Sequence, residues 1–172
     1  SANGGTGEAT ATNYSSGGGG GGSIRIDAGT VSGSGIVRAN GGSAGSATYA
    51  RGGGGSGGRI VVSATAIGAL TWQARGGPSA SEAGAAGTVV IEDLTAGTLT
   101  LTVDNADAPA AITPLTGGPF DLASLTVHGG AHLDLVADVT AGPVLVTSSS
   151  TLESTGLLVV GDLSLHNIEN LI

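Results

Sequence analysis

The chain has 172 residues, 34 of them glycine, with one Trp, one Phe, two Tyr, no Cys and no Met, and its net charge is −8. This inventory excludes disulfides and thiolate metal sites and a thick core of large side chains. It also excludes collagen, whose glycines keep a strict three-residue period among many prolines.

Charge is divided along the chain. All five basic residues are Arg and lie between Arg25 and Arg75, whereas eleven acids and no base follow Gly76. Clustered cations are needed to neutralise phosphates, so nucleic acid is not an expected partner. No apolar run reaches the roughly 18 residues of a spanning helix, and no signal peptide is recognisable. The chain begins at Ser1 within a repeat, which reads as a mature or excised segment of something longer.

The elements, taken in order, are repeats. "ANGG" at Ala2 to Gly5 returns at Ala39 to Gly42 and as "ARGG" at Ala74 to Gly77, in steps of 37 and 35. Each copy leads through small residues into an alternating strand: Gly22 to Ile26, Gly58 to Val62 and Gly87 to Ile91. Alternation of apolar and polar residues is the mark of a half-buried strand. A second strand follows each, at Gly35 to Arg38, Leu70 to Trp72 and Leu99 to Val103. The runs Gly17 to Gly22 and Gly52 to Gly58 lead into the first strands of their repeats, and "GGPSASEAGAAG" of Gly76 to Gly87 fills the third such stretch, the shortest of the three excursions.

Residues 104–124, with Pro109, Pro114 and Pro119, fit no period and read as a distorted coil or junction. From Leu125 a step of nineteen aligns Leu125, Val144 and Leu163, and likewise Val127, Val146 and Leu165. The same step aligns Leu133 with Leu152, Val139 with Leu158, and Gly142 with Gly161.

Short strands at a nineteen-residue period predict an all-β, right-handed parallel β-solenoid (β-helix) of about six coils, stacked at the ~4.8 Å strand spacing. Its regions are 1–103, divided into repeats 1–37, 38–73 and 74–103; the junction 104–124; and regular coils over 125–172. The excess of the long repeats over nineteen residues matches the glycine stretches. These read as extended, polyproline II-like polyglycine excursions on the N-terminal coils, glycine because their backbones lie too close for any Cβ. Disordered glycine loops are the competing reading.

Candidate chemistry is sparse, and no catalytic, cofactor or metal residues are assigned. The glycine runs open strands and lack the Lys and following helix of a phosphate loop. Asp104, Asn105 and Asp107 offer oxygens to calcium, against the plainer reading of a solvated turn. His128 and His166 fall in one column two coils apart, too distant to share zinc, and His128 and His132 flank a Gly-Gly turn. Asp134 and Glu153 stack through the nineteen-residue step with Asp138 close by, the raw material of a polysaccharide-cleaving site. No arginine follows Arg75 to support one, so an enzyme is not expected. Thr98, Thr100 and Thr102 alternate as in an ice-binding face, but Thr126 aligns with Leu145 and Ser164. Trp72 alternates with Leu70 and reads as packing. Tyr14 and Tyr49, 35 residues apart, read as packing over the glycines or as a sparse sugar ladder.

The stretch "GGGGGGSIRIDAGTVSGSGIVRANGG" resembles the glycine-rich repeats of very large bacterial surface and secreted adhesin-like proteins. Residues from about Leu122 to Asn167 are similar to autotransporter-type β-helix passengers. The resemblance implies an extracellular, structural or adhesive role and names no ligand. The expected function is therefore a subunit of a bacterial surface filament, or a segment of a large adhesin, joined end to end through uncapped strand edges. Surface glycans are the candidate partners besides further copies. A carbohydrate-binding or carbohydrate-cleaving β-helix and an ice-binding protein are the alternatives.

Overall fold

A computed structural model describes residues 1–10, 14–47, 51–166 and 170–171. Strand accounts for 49% of the structure, and no helix occurs among the described residues. The strands are β1 (Ala9–Thr10), β2 (Tyr14–Ser15), β3 (Ser23–Val31), β4 (Ile36–Arg38), β5 (Arg59–Ile67), β6 (Thr71–Gln73), β7 (Thr88–Asp93) and β8 (Thr98–Asp104). They continue with β9 (Ile112–Leu115), β10 (Phe120–Leu122), β11 (Ser124–His128), β12 (His132–Leu135), β13 (Val139–Thr147), β14 (Thr151–Ser154), β15 (Leu158–His166) and β16 (Asn170–Leu171).

The architecture is not the right-handed parallel β-solenoid that the spacing predicts. The main sheet is a mixed half-barrel of eight strands, β10-β13-β11-β8-β7-β5-β3, with β15 added on β13. Three further sheets stand apart: β16-β14-β12-β9, β4-β6 and the antiparallel pair β1-β2.

The cause of the departure is local. β7 and β8, read from sequence as two separate strands of a coil, pair antiparallel with Val90 opposite Leu101. The turn between them is built for reversal. Asp93 Oδ1 accepts from the backbone of Thr95 (2.8 Å) and Ala96 (3.1 Å), and Gly97 takes φ +64°. An aspartate turn closed by a left-handed glycine is hairpin chemistry. Strand direction therefore reverses midway across the sheet, whereas one continuous coil would keep it constant.

On each side of the hairpin the pairing is parallel. β3, β5 and β7 align Ile24, Ile60 and Val89, then Ile26, Val62 and Ile91. On the other side the nineteen-residue step becomes the strand register: Leu125 lies opposite Val144 and Val144 opposite Leu163, while Leu133 pairs with Leu152.

Two cores result. Ile60, Val62 and Val89 pack with Ala39 and Ala74 beside Trp72. Leu101, Val103, Leu125, Val127, Val144 and Val146 pack with Leu133, Leu135 and Leu152 of the smaller sheet. Val90 and Leu99 join this second core, whereas Val89 and Ile91 belong to the first. Successive strand residues face opposite ways, so the core changes face at the hairpin.

Candidate functional site

The glycine runs are not excursions from coils; they form a body of their own. Six extended segments, 2–8, 16–22, 39–45, 52–58, 74–78 and 82–87, lie in two layers. In the first layer Gly4 and Gly7 donate to the carbonyls of Asn40 and Ser43 (both 2.8 Å). Gly41 and Ala44 then donate to Arg75 (2.8 Å) and Pro78 (3.0 Å). In the second, Gly18 and Gly21 donate to Gly53 (2.9 Å) and Ser56 (2.8 Å). Gly54 and Gly57 follow with Glu82 and Ala85 (both 2.8 Å). Partners ascend together, so segments within a layer run parallel.

Between layers they run antiparallel. Gly19 donates to Gly5 (2.8 Å), Gly42 to Gly19 (2.8 Å), Gly55 to Gly42 (2.9 Å) and Gly77 to Gly55 (2.7 Å). Bonds to a given neighbour recur every third residue, the period of polyproline II backbone. That geometry has no internal hydrogen bonds, so each peptide group is free to bond sideways, and every buried one must.

Glycine is required inside this body. A Cβ on Gly42 would overlap the carbonyl of Gly5, one on Gly55 that of Gly19, one on Gly77 that of Gly42, and one on Gly84 that of Gly55. The third position of the repeat points away from the other segments. Ser56 occupies it in segment 52–58, and a Cβ on Gly53 would come no closer than 3.6 Å to Glu82 O.

One flank of the bundle is closed by a residue that sequence reading assigned to a solvated turn. Asn105 is 2% exposed. Its Oδ1 accepts from Gly76 N (2.7 Å) and its Nδ2 donates to Ala108 O (2.9 Å). Thr113 Oγ1 donates to Ala86 O (2.6 Å) on the same flank. Asp104 is equally engaged: Oδ2 lies 2.8 Å from Arg75 Nη2, Oδ1 accepts from Ala106 N (2.8 Å), and His128 Nδ1 is 3.3 Å away. Two of the three side chains offered for calcium, Asp104 and Asn105, thus bond to the chain itself, and Asp107 sits at φ +62° in the same turn.

The other candidates disperse. His128 lies opposite Asp104, and His166 opposite Thr147 on β15. Asp134 and Glu153 are paired across β12 and β14, and Glu153 Oε1 is 3.1 Å from His132 Nε2. Asp138 turns elsewhere, accepting from Leu157 N (2.9 Å). His132 and Asp107 share a cleft of about 110 Å³ with Ser149 and Thr151. No group of three or more His, Asp or Glu converges on a metal-sized space among the described residues. Thr100 and Thr102 face Ile91 and Val89 across the hairpin and Ser124 and Thr126 on the other side, and the row ends there because Thr126 next faces Leu145. Trp72 pairs with Val37 and packs on the first core. Tyr14 is exposed on β2; Tyr49 lies outside the described residues, and with it the proposed tyrosine stack.

The two ends of the main sheet differ. Edge strand β3 carries Arg25, whose Nε and Nη2 donate to Asp27 at 2.7 and 2.9 Å. That bond holds the Asp27 carboxyl below the usual carboxylate range and raises Arg25 further. Edge strand β15 carries Leu163 and Leu165, 43% and 38% exposed, although their partners Val144 and Val146 are 1% and 0% exposed.

No protein-family model, no curated protein and no solved structure matches the chain. No helix among the described residues is long and apolar enough to cross a membrane.

Proposed function

We propose that the protein is a structural, adhesive component of an extracellular surface assembly, a filament subunit or a segment of a large adhesin, joined to its neighbours through the β15 end of the main sheet. The observation that carries this reading is the pair of apolar columns, Leu125–Val144–Leu163 and Val127–Val146–Leu165, which end on uncovered leucines. An exposed edge strand with an apolar face is a template for further pairing, and covering Leu163 and Leu165 would extend the same core. The β3 end is of another kind, its edge occupied by the exposed Arg25–Asp27 ion pair.

Negative-stain electron microscopy of the purified protein tests the reading. Elongated assemblies are expected, and Leu163→Asp should dissolve them. Monodisperse monomers of the unmodified protein across the accessible concentration range would overturn the filament reading and with it self-association through the β15 end.

A further inference from the structure

The repeated "ANGG" places asparagine directly before glycine at Asn3–Gly4 and Asn40–Gly41, the two Asn–Gly steps of the sequence. Such a step is chemically labile, because glycine has no side chain to shield its backbone nitrogen. That nitrogen attacks the asparagine Cγ and loses its proton, a C–N bond closes a succinimide ring, and the side-chain nitrogen leaves as ammonia. Water then opens either imide bond. One opening leaves an aspartyl residue. The other leaves an isoaspartyl linkage, in which the main chain runs through Cβ and Cγ and is longer by one atom.

The glycine bundle anchors both reactants of each step. Asn40 Oδ1 accepts from Arg75 N (2.9 Å), and Gly41 N donates to Arg75 O (2.8 Å). Electrophile and nucleophile are thus tied to the two backbone groups of one residue in the next segment. Asn3 repeats the arrangement one segment earlier. Its Oδ1 accepts from Asn40 N (3.0 Å), while Gly4 N donates to Asn40 O (2.8 Å). Attack requires both bonds to break and the extended backbone to turn back on itself. In the third copy Arg75 replaces the asparagine, and Gly76, the counterpart of Gly41, donates to Asn105 Oδ1 (2.7 Å).

We propose that Asn3–Gly4 and Asn40–Gly41 are modification sites that the closed bundle keeps silent, and that opening the bundle converts them to isoaspartyl linkages that prevent it from closing again. The irreversibility follows from the three-residue period. An extra main-chain atom at position 40 shifts Gly41 N and Ala44 N away from Arg75 O and Pro78 O, which they reach at 2.8 and 3.0 Å in the closed bundle. A polyproline II segment has no internal hydrogen bonds through which to rewind and absorb the shift. Conversion depends on how often the bundle opens and not on the β15 contact, so it stands or falls apart from the assembly reading.

The test incubates the full chain in mildly alkaline buffer, folded and in guanidinium chloride. Peptide mapping with isoaspartyl-specific enzymatic methylation reads the conversion of each asparagine. Conversion at Asn40 should be about tenfold or more slower in the folded chain, in proportion to the rarity of opening. Gly77→Ala, which drives a methyl into the Gly42 carbonyl, should bring Asn40 in native buffer to the rate of the unfolded chain. Equal rates in the folded and unfolded parent would overturn the proposal, as would slow conversion in Gly77→Ala. Chain aged in denaturant and then refolded should lack hydrogen-exchange protection at Gly41 and Ala44, whereas freshly unfolded chain and Asn40→Asp should regain it. Recovery by the aged chain would overturn the irreversible step, and failure of Asn40→Asp would overturn the role of the inserted atom in favour of charge.

Discussion

Val89 and Val90 are consecutive in the chain, yet Val89 packs with Ile60 and Val62 whereas Val90 packs with Leu101 on the other face of the same sheet. The hairpin at Asp93 and Gly97 makes this necessary. Strands before it lean on one layer of partners and strands after it on another, so β7 is flanked by apolar contacts on both faces. Coupling should follow the faces. In double-mutant cycles read by urea unfolding, Val89→Ala should couple to Ile60→Val and Val90→Ala to Leu101→Ala, while the crossed pairs add independently. Each valine truncation should cost roughly 1–3 kcal/mol.

Glycine positions in the bundle should sort into two groups by melting temperature. Gly42→Ala, Gly55→Ala and Gly77→Ala each drive a methyl into a backbone carbonyl and should abolish the cooperative transition of the N-terminal half. Gly53→Ala places its methyl 3.6 Å from the nearest atom. It should raise stability by about 0.4–1 kcal/mol, because it narrows the unfolded ensemble without strain.

Asn105→Leu should open the closed flank. The substitution leaves Gly76 N–H and Ala108 C=O without their partners, at about 1–3 kcal/mol for each orphaned group. Hydrogen exchange checks it directly: the amide of Gly76 should lose protection, while the amides of Leu133 and Val146, in the other core, keep theirs.

The ion pair on β3 predicts a pH dependence with a definite sign. Asp27 is held below its ordinary value by Arg25, so its contribution is complete above the unfolded carboxylate value of about 3.9 and disappears as pH falls through the lower folded value. Arg25, raised in turn, would release its share only in strong alkali. NMR titration of the Asp27 carboxyl should place its midpoint below that of Asp27 in the Arg25→Gln variant. Coincident midpoints would remove the pair from the account.

Much of the structure was legible as strand position and little as strand direction. The alternation in "SIRI" marks β3, the apolar run in "RIVV" marks β5, and the nineteen-residue step from Leu125 is the register of β11, β13 and β15. The hairpin was missed because "DLTAGT" is a short signal between two strands whose spacing also fits a coil. Asn105 was illegible for another reason. Its partner Gly76 is 29 residues away, and nothing local to "DNAD" distinguishes a buried cap from a solvated turn.

The glycine bundle also bears on how the protein responds to temperature. Its segments are held by peptide groups bonded to peptide groups, with little hydrocarbon between them. Unfolding it hydrates polar surface, which lowers the heat capacity, where an oily core would raise it. Calorimetry should therefore give a heat-capacity increment below the usual ~12–15 cal/mol/K per residue. The stability curve flattens accordingly, and the N-terminal half keeps its hold in the cold, where proteins that rely on buried hydrocarbon begin to lose theirs.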